Sequence, residues 1–449
     1  MMPSANYPSP PAGCLCRGSP DTSLDESDLN SQLVAYLERL GPRQRVLVVP
    51  PDGSRAHARA GILLKAAYDF YGPALKAVLP ALGTHRPMDA VELERHFPGI
   101  PQHLFREHRW KEDLVTLGRV PSAYVREISG GHCDFEWPVQ VNRLLTEGDF
   151  DLILSLGQVV PHEVVGMANY SKNIFVGTGG RDSIALSHWL GAAWGIERTL
   201  GRLDTPVRAL LDYAQNHFAG GLPLVYALTV VGPVNPVDSP DNTVSGGVAG
   251  AGAGHDARHG DVVRGLFIGS GRTVFEQAAA LSAAVNISHT GRPVQTMVVW
   301  LDAAEFRSTW LGNKAIYRSR LAMADGGRLI ILAPGVDCFG EDAGIDRIIR
   351  QYGYCGSAKV LSLVAGGDLS RHLAAAAHLM HGSSEGRFDI CLAAGGLDRA
   401  AVEAAGFQWA EWQTLAAHYQ IEGCSAGWNK RQGEEFFFIK NPALGLWMV

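Results

Sequence analysis

The sequence predicts an α/β protein built from two α/β domains, with mainly parallel sheets and an active-site cleft between the domains. Three observations predict it. Short apolar runs of strand length recur along the chain, bounded by Gly or Pro. Segments of helical length separate them, and that alternation argues for parallel sheets. The 449 residues also suggest more than one hydrophobic core. Hydrophobic residues make up 46% and charged residues 19%, an ordinary globular balance. A net charge of −6 offers no basic face for nucleic acid. No apolar run approaches the roughly 18 residues of a membrane span.

In chain order, residues 1–28 read as a disordered tail, because Pro, Ser and Gly dominate them. The same stretch lacks the basic and apolar regions of a secretory signal, so a cytoplasmic location is expected. Cys14 and Cys16 lie there, and the seven cysteines show no second pair that would complete a metal knuckle. A first domain is expected over 29–290, opening with a helix at Leu29–Leu40. Arg45–Val49 reads as a strand that feeds PPDGSRAH, so Asp52 and Arg55 lie just past its end. A helix over Ala58–Tyr71 follows. After the next apolar segment come Thr84, His85, Arg86 and Pro87, where proline stops the strand and leaves His85 and Arg86 on a loop. From His103 to Trp137 the chain is rich in polar and aromatic groups, among them His108, Arg109, Trp110, His132, Glu136 and Trp137. These suit either a polar cleft for a hydroxylated ligand or a loop that covers the sheet.

The stretch Asp151–Gly201 organises the rest. Asp151–Leu156 is a buried strand by its apolar run, and Asn173–Val176 reads as a second one, closed by Gly177, Gly179 and Gly180. Asp182 suits the N-cap of a following helix. His162, Lys172 and His188 therefore fall on loops and at a helix start, near strand ends, where open α/β sheets bind ligands. A lysine between a strand and a glycine-rich turn can act as a nucleophile or covalent anchor. A histidine just beyond it can reach a metal. Taken singly, each is more often a surface or core residue. Pro223–Val231 is another strand, and 233–261 is a Gly/Ala/Asp-rich flexible insertion.

A second domain is expected over 291–449, closing over the substrate. VQTMVVWLD, RLIILAPG, KVLSLVAGG and FDICLAAGG read as strands; TWLGNKAIYRSRLAMADGG, GIDRIIRQYG and HLAAAAHLM read as helices. Lys314, Arg318 and Arg320 are cations that could meet an acidic substrate. HGSSEGRF at 381–388 holds a Ser and a His without a nucleophile elbow and reads as structural.

The set Asp52, Arg55, His85, His162, then Lys172 ten residues on and His188 sixteen further, resembles the nickel-dependent lactate racemase family over the ordered chain. VVPHEVVGMANYSKNIFVGTGG, EFRSTWLGNKAIYRSR, AAHLMHGSSEGRF and NPALGLW resemble its branch of D-mannonate epimerases. The resemblance implies a nickel-pincer nucleotide, pyridinium-3,5-bisthiocarboxylic acid mononucleotide nickel, tethered covalently at Lys172. It implies nickel ligation by His188, cofactor contacts from Asp52 and Arg55, and His85 and His162 as alternating acid and base. Sulfur and imidazole donors in a near-planar array suit nickel. It further implies a 2-hydroxy acid substrate held by Arg86, Tyr317, Arg318 and Arg320, reversible hydride transfer at C2, and reliance on cofactor-biosynthesis enzymes as partners. The expected reaction is interconversion of D-mannonate and D-gluconate; a lactate or other short-chain racemase is the alternative.

The chain departs from the lactate racemases at three places. Asn169, Tyr170 and Ser171 stand where small glycines precede the lysine, and Gly177–Gly180 replaces a proline-glycine turn. The usual glutamine and lysine that meet the carboxylate are replaced around Arg318 and Leu321. Two readings from other classes are a zinc hydrolase using His85, His162, His188 and Asp52, and a silent sugar-acid binding protein.

Overall fold

The structure, a computed structural model, describes residues 13–233, 261–443 and 445–449. All but the ends of the Gly-rich insertion, and the first twelve residues of the expected tail, lie outside the described residues. Two six-stranded sheets carry the fold. In the first, Val46–Val49 lies between Leu75–Val78 and Leu152–Gln158, both parallel to it, and Leu224–Pro233 continues the parallel run beyond Leu152–Gln158. Asp261–Gly269 and then Leu15–Gly18 complete the other edge in antiparallel fashion. Val46, Leu47, Val48 and Val49 are all fully buried. A strand covered on both faces needs that unbroken apolar run, which is why it reads so clearly in the sequence.

The second sheet runs Gln408–Trp409, Asp389–Ala394, Met323–Ala333, Val294–Trp300, Glu434–Ile439 and Gly427–Arg431. Its first five strands are parallel and the last is antiparallel. This is the mixed α/β architecture with mostly parallel sheets that the alternation predicts. The two sheets are joined by more than the chain connection at residue 290. The C-terminal strand Leu446–Met448 returns to pair with Ile287–His289, and helix Leu373–His381 packs against helix Arg181–Trp194. Among the described residues, no helix is long and apolar enough to cross a membrane.

Several sequence expectations are corrected. Leu15–Gly18, expected in the disordered tail, is an edge strand in register with Gly265–Ile268. The following helix starts at Glu26 rather than Leu29, because Asp25 and Asp28 form a capping box that nucleates it earlier. Asn173–Val176 is not a strand: Ser171–Phe175 forms one helical turn above the sheet. Asn173 Nδ2 donates to Val49 O at 3.2 Å and to Ser155 Oγ at 2.9 Å. Those bonds tie the turn to strand ends instead of a ladder. KVLSLVAGG falls in the helix Ser357–Ala365, whose first turn is capped by Glu385 accepting from Ser357 N at 3.0 Å and Ser357 Oγ at 2.8 Å. TWLGNKAIYRSRLAMADGG is two short turns, Thr309–Gly312 and Lys314–Tyr317, after which the chain enters the strand Met323–Ala333.

Candidate active site

Three adjacent parallel strands deliver the site. Val46–Val49 leads to Asp52 and Arg55, Leu75–Val78 leads to His85, and Leu152–Gln158 leads to His162 and Lys172. Because the strands are parallel neighbours, these loops emerge together at one sheet edge. Gly83 N donates to Gly177 O at 2.8 Å, which ties the His85 loop to the glycine turn. A Cβ on Gly177 would lie 2.7 Å from Ala81 Cβ and 2.3 Å from Asn173 O, so that close approach requires glycine.

Each histidine has its tautomer fixed by one partner. His85 Nδ1 donates to Asp52 Oδ2 at 2.6 Å, which leaves a lone pair on Nε2. His188 Nδ1 donates to Ile184 O at 2.7 Å within its own helix, again leaving the Nε2 lone pair. That is how proteins orient a metal-binding imidazole. His162 is the opposite case. Its Nδ1 accepts from Val164 N at 3.1 Å, so the neutral ring carries its hydrogen on Nε2. Burial holds His162 well below the ordinary histidine range; Glu163 opposes this, while Lys172, Arg55 and His188 add to it. Burial also lowers His188, with the Ile184 carbonyl bond opposing and Lys172 reinforcing.

Lys172 sits on a strained turn. Asn169 and Tyr170, immediately before it, have φ of 70° and 57°, a left-handed region that costs energy outside glycine. Arg208 holds the turn: it donates to Ser171 Oγ at 2.9 Å, Met167 O at 2.8 Å and Asn169 O at 3.3 Å. Its guanidinium lies over Phe275, which also stacks on the ring of Tyr170 at 5.3 Å. Burial pushes the Lys172 ammonium down to about 7; Arg55 and Arg208 push the same way, and Glu163 and Asp52 oppose. At neutral pH a large share of Lys172 is therefore the free amine, the form that attacks a carbonyl.

The second sheet contributes Lys314, Tyr317, Arg318 and His381. Burial lowers Lys314 to about 8, with Arg318 and Arg55 reinforcing and Glu305 and Glu163 opposing. Arg318 is 3% exposed and donates to Gly445 O at 3.0 Å and to Pro161 O at 3.3 Å, next to His162. Tyr317 is buried against His381, ring centroids 6.5 Å apart. Burial presses His381 down to about 4 against the pull of Glu163, so it is neutral at working pH.

Two residues escape the sequence reading. Glu163 carries a buried carboxylate beside His162, at 3.6 Å from Nδ1. Burial opposes its ionisation, yet His162, Arg318, its own N–H and His381 hold it well below the usual carboxylate range. An acid directly after a histidine inside the apolar run VVPHEVVG was the available signal. His381 was read as structural; its Nε2 is buried with no hydrogen-bond partner among the described residues, an unusual state for a group that feels Glu163 and Arg320.

Other expected residues do not join this cluster. Arg86 is 72% exposed and paired to Glu92, so it is a surface ion pair rather than a substrate contact. Arg320 is 1% exposed and spends its charge on Glu197 at 2.6 Å, and donates to His381 O at 3.2 Å. Asp52, expected at the cofactor, instead orients His85. The polar cleft expected from His103–Trp137 dissolves as well. His108 is buried and donates to Gly179 O at 3.0 Å, and Trp137 is buried and donates to Ser183 O at 2.8 Å. Arg109 pairs with Asp113 at the surface, and Glu136 is exposed.

Residues 31–197 match the family described as lactate racemase N-terminal domain. Most of the chain shares a fold with solved structures. A crystal structure of a Thermotoga maritima protein, a Northeast Structural Genomics Consortium target, is 24% identical and superposes with a TM-score of 0.76, covering 95% of this chain and 98% of that one. The lactate racemase apoprotein from Thermoanaerobacterium thermosaccharolyticum is 15% identical, with a TM-score of 0.67 over 97% of this chain and 94% of that one. Comparison by sequence with curated proteins finds no match. The chain thus has a lactate racemase-like fold, and its first 197 residues include that family's N-terminal domain pattern.

Proposed function

We propose that this protein is a 2-hydroxy acid racemase or epimerase, an isomerase that inverts C2 of its substrate, and that the substrate is a sugar acid, D-mannonate interconverting with D-gluconate. One observation carries the reaction class: a buried lysine near half charge at neutral pH acts electrostatically on His162 and His188, whose tautomers, like that of His85 on the nearby loop, are fixed. The donor set fits a lysine-tethered nickel-pincer nucleotide. Lys172 offers a nucleophilic amine for the covalent bond, His188 an oriented Nε2 for the nickel, and Arg55 a cation for the phosphate. When bound, that group supplies an acceptor for the hydride of C2.

The chain's own residues do the rest. Lys314 and Arg318 neutralise the substrate carboxylate, and burial makes their charges count for more than they would in water. His85, held by Asp52, takes the hydroxyl proton on Nε2. His162 stands as its counterpart at the other face, so each histidine serves one configuration. The zinc-hydrolase reading loses its ligand set, since among the described residues no three His, Cys, Asp or Glu side chains are grouped to hold a metal ion. The sugar-acid choice is supported by the segments resembling D-mannonate epimerases and not by the His103–Trp137 region. We infer a cytoplasmic enzyme that depends on cofactor-biosynthesis enzymes.

Protein co-expressed with those enzymes tests this reading. It should be offered D-gluconate, D-mannonate, L-lactate and L-malate, each deuterated at C2, with inversion followed by NMR. The expected result is fastest turnover of the aldonates with the label retained. Faster lactate turnover replaces the substrate; label washout replaces the hydride chemistry.

A further inference from the structure

The two histidines expected to exchange protons are set up differently. His85 is 61% exposed and its Nδ1–H already rests on Asp52, so its Nε2 is ready to accept. His162 is 5% exposed and carries its hydrogen on Nε2, because Val164 N–H occupies Nδ1. A neutral imidazole in that tautomer cannot act as a general acid through Nε2 without leaving an imidazolate. It must first gain a proton on Nδ1. Burial resists this, and so do the positive charges of Lys172 and Arg55. Among the described residues that act on His162, Glu163 is the one that opposes them, and it lies 3.6 Å from the nitrogen concerned.

We propose that Glu163 is a positioning residue for His162: its carboxylate takes over the Nδ1–H when His162 is protonated, so that a buried histidine can serve as the acid opposite His85. This deepens the proposed racemase reading and rests on it. The proton balance closes. The substrate hydroxyl loses its proton to His85 Nε2 as the hydride leaves C2. When the hydride returns to the other face, the carbonyl oxygen takes the Nε2 proton of the His162 imidazolium. His162 is left neutral with its hydrogen on Nδ1, bonded to Glu163. His85 then returns its proton to water, to which it is open, and His162 regains one. Arg318, from the second sheet, is the permanent charge that keeps the Glu163 carboxylate ionised for this role.

The test combines Glu163→Gln with Glu163→Asp in the full-length, cofactor-loaded protein. Long-range ¹⁵N–¹H NMR of histidine-labelled protein, with His162 assigned by its loss in His162→Gln, reads tautomer and titration directly. In wild type His162 should be the Nε2–H tautomer when neutral. In Glu163→Gln it should resist protonation to lower pH than in wild type, and Glu163→Asp should fall between them. The kcat/KM of Glu163→Gln should drop about a hundredfold, the scale of a general acid–base contribution, with its alkaline limb, where the acid loses its proton, displaced to lower pH. Unchanged His162 titration in folded Glu163→Gln overturns the proposal, even if activity falls, because the role would then be structural. Should the loaded wild type invert no 2-hydroxy acid, the function reading fails, while the titration still decides whether Glu163 governs His162.

Discussion

Lys172 is a cation that the fold keeps only partly charged, and its stability cost follows from that. Its pKa is about 7 in the folded chain against about 10.4 unfolded. Between those values the unfolded state holds more protons, so stability rises with pH across the window. Below about 7 the full penalty applies. Lys172→Met should therefore raise the melting temperature of the cofactor-free protein by a few degrees near pH 6, with the gain vanishing toward about pH 10. The same variant should gain no nucleotide mass on co-expression. Scanning calorimetry across pH and intact mass spectrometry check the two halves; a pH-independent change in melting would contradict the buried-charge account. At the partner histidine, Asp52→Asn keeps the shape but frees His85 to adopt either tautomer. Turnover should fall by about 10²–10⁴ with KM little changed, and a variant within threefold of wild type would remove Asp52 from the mechanism.

At the scale of elements, the turn that presents Lys172 is held from outside itself. Two left-handed residues in succession persist only when surrounding groups over-determine them, and Arg208 from helix Pro206–Phe218 is the main one. Arg208→Met should remove the guanidinium bonds to Met167 O, Asn169 O and Ser171 Oγ, leaving Asn169 O only its bond from Lys172 N, and cost about 1.5–3 kcal/mol for the charged hydrogen bonds. It should also slow cofactor attachment, because the Asn169–Tyr170 pair relaxes and moves the amine. Urea unfolding and the time course of adduct formation measure both; full attachment at the wild-type rate would mean the turn holds its own shape. This dependence also explains what the sequence made legible. The strands and the loops after them were visible, because Val46–Val49 and Leu152–Leu156 are buried on both faces and are apolar apart from Ser155. Lys172, His162 and His188 stood out as polar residues at those strand ends. Short apolar runs were ambiguous: Asn173–Val176 and KVLSLVAGG suit a strand or a helix equally, and Asn173 and Glu385, remote partners, decided them. The roles of Arg86 and Arg320 were illegible because nothing local says which carboxylate a guanidinium will meet.

For the whole molecule, the decisive contacts cross between the two sheets. Arg320, preceding the strand Met323–Ala333, is buried and paired with Glu197, which follows the helix bearing His188. Its Nε has no hydrogen-bond partner among the described residues, so the guanidinium relies on this carboxylate and on His381 O. Replacing a buried pair outright is often tolerated, whereas removing one member strands a charge. Glu197→Gln should therefore destabilise by about 1.5–3 kcal/mol, held to that scale because Glu197 is 38% exposed and water partly replaces it. Arg320→Met combined with Glu197→Gln should cost less than the two single changes added together, the non-additivity expected of a direct pair. The functional consequence separates the halves of the site. Lys172, His188 and Arg55 all belong to the first sheet's loops and helices, whereas Lys314, Tyr317 and Arg318 come from the second. Loosening the contact should leave cofactor attachment at the wild-type level and raise the KM for the hydroxy acid, because only the second set is displaced. Loss of attachment with KM retained would invert that division and assign carboxylate binding to the first sheet alone.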